Sequence, residues 1–329
     1  MKIAINGFGR IGRVLYRLLT DTKDIEVVAI NDLGNPDVLT HLLKYDSVHR
    51  GIGKPVRLNE NILNVGTQKS IFLQERNPEN LPWESMGIDL VIECTGLFLT
   101  QELAELHLKA GAKRVLLSAP AKSTSIPMVV MGVNEHIIKN TDLIVSNASC
   151  TTNCAAPMVQ VLDKIGQIES AYITTVHSYT GDQALHDKPH KDFRRARAGA
   201  ASIVPTTTGA AKAVTKLFPH LELGGCGIRV PVPDGSLTDI SFVVKESITA
   251  EAINKAFKEA SENELKHILS YITDPIVSTD IIGNPFSCIF DSELTSVVGK
   301  MVKIVGWYDN EMGYSHRLKD MIYYLKGLV

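Results

Sequence analysis

The stretch K-I-A-I-N-G-F-G-R-I-G-R at residues 2–13 decides the fold. Residues 2–6 are an apolar run of strand character. Residues 10–21 carry Ile11, Val14, Leu15, Leu18 and Leu19 at helical spacing. Between them Gly7, Gly9 and Gly12 stand in the GxGxxG spacing. The first glycine permits a tight turn, the second lets the backbone approach a pyrophosphate, and the third lets helix and strand pack closely. The helix N-terminus then offers unpaired N–H groups and partial positive charge to phosphates. A second apolar run, 25–30, ends in Asn31-Asp32. An acidic side chain there is placed to accept from a ribose 2′-hydroxyl. It also repels a 2′-phosphate, which favours NAD over NADP. Gly34 leaves space beside it.

Outward from this turn, the first half alternates apolar strands with amphipathic helices. Residues 89–96, 114–120, 128–133 and 143–147 read as strands, and Thr100 caps a helix over 101–110. This alternation predicts a parallel sheet covered on both faces, a Rossmann dinucleotide-binding domain. The second half reads differently. Residues 171–180, 226–232, 236–246 and 301–308 are longer strands, with helices near 209–217 and 250–262. They predict an α+β domain with a mostly antiparallel or mixed sheet. The expected division is 1–148 for the cofactor domain and 149–311 for the catalytic domain, with a C-terminal helix at 312–329 packing back on the first. The polar, basic segment 181–202 has no clear periodicity, and a loop of that length is functional or an oligomer contact.

The chain has 329 residues, a length suited to two domains. Lys plus Arg is 34 against 36 Asp plus Glu, a formal charge of -2, which argues against a dedicated nucleic-acid or polybasic membrane binder. No apolar run is long enough to span a bilayer, and no signal peptide is read. The odd, sparse set of five cysteines is not a disulfide framework and points to a reducing cytoplasm.

Residues 147–154 read N-A-S-C-T-T-N-C. Cys150 opens an apparent helix, where the N-terminal field favours thiolate. Such a thiolate beside a nicotinamide attacks an aldehyde covalently; a buried structural cysteine is the alternative. Cys154, one turn on, reads as structural. The Cys-x3-Cys pair lacks two further ligands at typical spacing, so no metal is expected. His177, late in a strand before the long loop, is a candidate base and ion-pair partner for Cys150. Spacing alone does not select it from ten histidines.

The segments NGFGRIGR, NDL, HLLKYDSVH, ECTG, SAPAK, SNASCTTNC, TTVHSYTGDQ, RRARA, TTTGAAKAV, RVPVPDGS and GWYDNEMGYS occur in order along the whole chain. Together they resemble the phosphorylating glyceraldehyde-3-phosphate dehydrogenases of bacterial type. The resemblance implies oxidation of D-glyceraldehyde 3-phosphate with inorganic phosphate and NAD to 1,3-bisphosphoglycerate, in a homotetramer, as a step of glycolysis or gluconeogenesis. It implies Cys150 as nucleophile, through a hemithioacetal and a thioester, and His177 as base. Thr180, Asp182 and Arg229 match the site for the substrate's phosphate. Ser149, Thr151, Thr208, Gly209 and Arg195 match the site for the attacking phosphate, with Arg194 as a neighbouring candidate. Arg10, Ile11, Asp32, Arg76, Ser118 and Asn310 match cofactor contacts, Asn310 toward the carboxamide. Thr95 and Gly96 end a strand beside the cofactor cleft.

Two departures stand out. Lys188 occupies a position where NAD-specific relatives carry an apolar residue, and with Gly34 it points to some NADP use against Asp32. The His49-Arg50-Gly51 stretch and the segment after it match no role. The nearest alternative is an erythrose-4-phosphate dehydrogenase, in which water attacks the thioester. From another class comes a non-catalytic nucleotide-binding or interaction protein, which the presence of both Cys150 and His177 disfavours.

Overall fold

A computed structural model describes residues 1–328 of the chain. It divides into two compact units, one of residues 1–129, 135–148 and 315–329, the other of 130–134 and 149–314. Val329, the end of the expected C-terminal helix, lies outside the described residues.

The first unit is built on β1 (Lys2–Asn6), α1 (Arg10–Leu19), β2 (Glu26–Asn31), α2 (Pro36–Lys44), β3 (Val56–Asn59), β4 (Ile62–Val65), β5 (Gln68–Leu73), α3 (Trp83–Met86), β6 (Leu90–Glu93), α4 (Gln101–Lys109), β7 (Arg114–Leu117) and β8 (Ile144–Ser146). Its eight strands lie in the order β3-β4-β5-β2-β1-β6-β7-β8. The pairs from β5 through β8 are parallel. Strand β1 sits at the centre, its Ile3, Ala4 and Ile5 fully buried, which is why it reads as continuously apolar. The sheet reverses order across β1, so the crevice at the carboxyl ends of β1, β2 and β6 is where such a sheet takes a ligand.

Two local readings change. Residues 128–133 form no strand. Met128 makes a single bridge to Ser146, and the Val130 N–H is then taken by the Asn134 side chain at 2.8 Å, which turns the chain. The segment after Gly51, without a role in the sequence, supplies β3 and β4, which pair antiparallel at the edge of the sheet.

The second unit contains α5 (Cys150–Gly166), β9 (Ile168–Ser178), β10 (Val204–Thr206), α6 (Ala210–Leu217), β11 (Glu222–Val230), β12 (Ser236–Val244), α7 (Ala250–Glu262), β13 (Leu269–Ile272), β14 (Cys288–Val298) and β15 (Met301–Tyr308). A last helix, α8 (Met312–Gly327), groups with the first unit from Ser315 onward. There the Arg114 guanidinium donates to the Leu325 carbonyl at 3.5 Å, and Lys326 pairs with Asp24. The second sheet is mixed, in the order β10-β11-β9-β12-β15-β14-β13, with β9 parallel to β11 and antiparallel to β12. Strand β12 shows why the second half alternates: Thr238, Ile240, Phe242 and Val244 are buried, while Val243 on the other face is exposed. The buried side packs with Cys154, Met158 and Leu162 of α5 and Phe257 of α7.

Candidate functional site

In the first unit the chain leaves β1 into a turn in which Gly7 has φ +97. A Cβ there would stand 2.7 Å from the backbone of Cys94 and Thr95. A Cβ on Gly12 would stand 2.2 Å from the Gly7 carbonyl oxygen, whereas one on Gly9 would meet nothing within 4 Å. Gly9 is therefore open, and it faces a cleft of about 350 Å³. Gly7, Asp32, Arg76 and Thr95 line the same cleft, so these five expected cofactor residues come together. Asp32 accepts from the Phe8 N–H at 2.6 Å and the Gly34 N–H at 2.8 Å. It thereby ties the end of β2 to the glycine turn. These features fit a dinucleotide: open backbone for a pyrophosphate, the N-terminus of α1, and a carboxylate for a ribose.

Arg10, Ile11, Gly12, Gly96 and Ser118 stand outside the cleft wall. Gly12 acts through packing. Arg10 pairs with Asp46 at 2.6 Å. Ser118, just past β7, donates its backbone N–H to the Glu93 carbonyl at 2.9 Å. Lining residues that the sequence did not single out include Asn31, Leu33, Leu97 and Phe98. Leu97 is 67% exposed just after β6, and an exposed leucine beside a glycine turn is the signal that marks it.

A buried polar chain joins Asn6 and Thr95 of this lining through Glu93. Trp83 Nε1 donates to His107 Nδ1 at 3.1 Å, which leaves His107 Nε2 to donate to Glu93 at 3.2 Å. Glu93 also accepts from the Asn6 side chain at 2.6 Å and the Thr95 N–H at 2.7 Å.

In the second unit Ser149 caps α5. Its hydroxyl accepts from the Thr152 N–H at 3.1 Å, so Cys150 opens the helix as expected. Ala148 before it is held at φ +55, a conformation costly for a non-glycine residue. Strand β9 brings His177 alongside, with Nε2 3.4 Å from Cys150 Sγ. Across β11, Arg229 Nη1 reaches His177 Nδ1 at 2.7 Å and the Ser178 carbonyl at 2.9 Å.

Burial pushes the Cys150 thiol above its ordinary value, with Arg229 and the Thr151 N–H pulling the other way. Burial and then Arg229 drive His177 down to about 3. Both shifts run against the charges of the expected ion pair, while the 3.4 Å Sγ–Nε2 approach is the geometry such a pair needs. The helix field on Cys150 is outweighed by desolvation, and the guanidinium opposes a second positive charge on the ring.

Arg195 donates from Nε to Thr206 at 3.0 Å and from Nη1 to Asp182 at 2.8 Å. Its Nη2 reaches the Thr207 carbonyl at 3.4 Å, next to Thr208 and Gly209 at the start of α6. Asp182, from the loop that begins at Thr180, also pairs with His190 at 3.2 Å. Arg195, Asp182, Thr208 and Gly209 therefore gather around one helix N-terminus. Thr151 does not present its hydroxyl there. The hydroxyl turns inward to the Tyr308 hydroxyl at 2.9 Å, which Thr175 also meets at 3.0 Å. Tyr308 and Thr175 support the site from behind; both are buried in strands, and nothing in their sequence pattern sets them apart from core. Asn310 Oδ1 accepts from the Ser178 hydroxyl at 2.9 Å and the Ser236 hydroxyl at 2.6 Å. Its amide NH2 is left to donate.

Residues 1–101 match a family model described as the NAD binding domain of glyceraldehyde 3-phosphate dehydrogenase, and residues 149–310 match the C-terminal domain of the same family. The chain is 51% identical over 334 residues to the glyceraldehyde-3-phosphate dehydrogenase of Geobacillus stearothermophilus, covering 100% of this chain and 99% of that one. It is 53% identical over 326 residues to the Thermotoga maritima enzyme of that name, covering 98% of each. The Streptomyces coelicolor protein of the same name is 51% identical over 327 residues, covering 98% of this chain and 97% of that one.

Proposed function

The chain belongs to the glyceraldehyde-3-phosphate dehydrogenase family, and from that premise we propose that it oxidises D-glyceraldehyde 3-phosphate with inorganic phosphate to 1,3-bisphosphoglycerate. NAD is its cofactor. The observation that carries the reading is Cys150 Sγ placed 3.4 Å from His177 Nε2 among the cations Arg229 and Arg195.

Cys150 Sγ adds to the aldehyde carbon, and the carbonyl oxygen takes up a proton to give a hemithioacetal. NAD, when bound, supplies the chemistry the side chains lack, acceptance of a hydride. His177 Nε2 takes the hemithioacetal hydroxyl proton as the carbon is oxidised, and a thioester remains on Cys150. A phosphate oxygen then attacks the thioester carbon, the C–S bond breaks, and Cys150 leaves as thiolate. Arg229, with Thr180 and Asp182, is the side for the substrate's own phosphate. Arg195, Thr208 and Gly209, with Ser149 and Thr151, are the side for the attacking phosphate, because a guanidinium fork and a helix N-terminus suit a dianion. Gly7, Gly9, Asp32, Arg76, Thr95 and Asn310 would hold the cofactor, with Arg10, Ile11, Gly12, Gly96 and Ser118 shaping its site.

The domain division is residues 1–148 with the C-terminal helix, and residues 149–311. The protein works as a homotetramer in the cytoplasm. Phe193, Leu185 and Ile203, 87%, 71% and 70% exposed along one loop segment, are the kind of apolar surface an oligomer covers. Five free cysteines fit a reducing compartment. Asp32 supports NAD preference, and Lys188 with Gly34 supports some NADP use.

A spectrophotometric assay with glyceraldehyde 3-phosphate tests the reading, with and without phosphate and with NAD and NADP in parallel. Reduction of NAD that requires phosphate is expected. Reduction at full rate without phosphate would sink the phosphorylating step.

A further inference from the structure

The buried chain through Glu93 has a direction that its partners alone fix. At one end Trp83 Nε1, which only donates, meets His107 Nδ1 at 3.1 Å. His107 therefore carries a proton on Nε2 and donates it to Glu93 Oε2 at 3.2 Å. At the other end the backbone of Glu75 orients Asn31, whose Oδ1 accepts from its N–H and whose Nδ2 donates to its carbonyl, both at 2.8 Å. Asn31 Nδ2 also donates to Asn6 Oδ1 at 2.7 Å, so Asn6 turns its Nδ2 to Glu93 Oε2 at 2.6 Å. Asn6 Nδ2 and His107 Nε2 come within 3.5 Å because both aim at that one oxygen, and neither can reverse.

Glu93 turns its other oxygen, Oε1, to Thr95. It accepts from the Thr95 N–H at 2.7 Å and from the Thr95 hydroxyl. The hydroxyl oxygen itself accepts from the Leu97 N–H at 3.1 Å and has a second lone pair for a ligand. Thr95 has thus spent both its protons on Glu93, and what it can offer in the cleft it lines is an acceptor. A phosphate oxygen needs donors, whereas a ribose hydroxyl can donate. Thr95 abuts the Gly7 turn, and riboses flank a dinucleotide's pyrophosphate on both sides. We propose that Glu93 is a positioning residue for the cofactor: it takes both Thr95 protons and so makes Thr95 the acceptor for a ribose hydroxyl of NAD. This deepens the cofactor reading of the cleft and rests on it.

The test is calorimetric binding, to the full-length protein, of NAD, of its analogues with each ribose hydroxyl in turn replaced by hydrogen, and of its hypoxanthine analogue, which lacks the adenine amino group. Thr95→Val keeps the shape and removes the acceptor, and should weaken NAD about tenfold. One deoxy analogue should bind wild type about tenfold more weakly than NAD, yet bind Thr95→Val as well as NAD does. Thr95→Ser should restore that discrimination. Glu93→Gln should abolish it, because its amide NH2 must face either Thr95 or the fixed donors of Asn6 and His107. Glu93→Asp, which keeps the charge and shortens the reach, reads the same quantity if the Gln variant does not fold. Deoxy analogues that all lose equally on wild type and Thr95→Val would overturn the ribose contact. So would coupling of Thr95 to the hypoxanthine analogue alone, which would assign the contact to the adenine. Discrimination kept in either Glu93 variant would overturn the part given to Glu93. Failure of wild type to bind NAD at all would instead overturn the cofactor reading of the cleft.

Discussion

His177 Nε2 stands 3.4 Å from Cys150 Sγ, while the far side of the same ring is held by a guanidinium. The geometry brings the proposed nucleophile and base together, while burial opposes a charge on either. Burial raises the thiol, and burial with Arg229 lowers the imidazole to about 3. Iodoacetamide reacts with thiolate. Its rate with ligand-free protein should therefore climb with pH only beyond the ordinary thiol range, with no plateau between pH 5 and 8. A plateau there would mean an ion pair. Cys150→Ser should remove this reaction and lower turnover by about a thousandfold or more.

The same shift has a consequence for stability. The folded His177 value, about 3, lies below the ordinary 6.5. As pH falls from about 6.5 toward 3, the unfolded chain binds a proton that the folded chain refuses, so stability drops with falling pH. His177→Asn removes that contribution. Its Tm should fall less steeply than the wild-type Tm across this window, and parallel slopes would contradict the assignment.

Asp32 does two jobs, holding the Phe8 and Gly34 N–H groups and facing the cleft. Asp32→Ala should lower kcat/KM for NAD by roughly 10- to 100-fold, the worth of one hydrogen bond to a charged group. The same change removes repulsion of a 2′-phosphate, so the NADP-to-NAD ratio of kcat/KM should rise. A wild-type enzyme that already used NADP as well as NAD would defeat the charge argument.

His107 is fully buried between Trp83 and Glu93. Replacement by Ala strands an indole N–H and withdraws a donor from a buried carboxylate. The expected cost is on the order of 3 kcal/mol of unfolding free energy. Because Glu93 also holds the Thr95 N–H, NAD affinity should fall with it. Urea titration and calorimetry read the two effects separately.

How much of this was legible in the sequence follows from where the physics is local. The β1 turn is local: apolar run, glycine spacing and Asp32 are all set by chain neighbours, and the structure puts Gly7, Gly9 and Asp32 around one cleft. The start of α5 at Cys150 was equally readable, because Ser149 is a strong cap. The Arg229–His177 bond was not, since it depends on β11 lying beside β9 in a register that pairs these two residues. The orientation of the Thr151 hydroxyl was unreadable for a related reason: the motif names the residue, but only packing against Tyr308 decides where the hydroxyl points. The 128–133 run looked like a strand because it is apolar, and a single side-chain acceptor, Asn134, turned it.

The glycines of the turn give a final, contrasting prediction. A methyl group on Gly12 would stand 2.2 Å from the Gly7 carbonyl oxygen, a backbone atom fixed by the turn itself. Gly12→Ala must therefore push α1 away from β1, at a cost of about 3 kcal/mol, the upper end for overpacking. A methyl group on Gly9 meets no protein atom within 4 Å, and Gly9 has φ -70, which any residue adopts. Gly9→Ala should keep stability within about 1 kcal/mol of wild type. It should still weaken NAD binding at least tenfold, because its methyl group enters the cleft where a pyrophosphate must approach the backbone. Thermal unfolding without cofactor and calorimetric NAD titration on both variants measure the two quantities. Loss of affinity in Gly9→Ala at unchanged Tm marks a contact with the cofactor, and equal Tm losses in both variants would mean the turn is only structural.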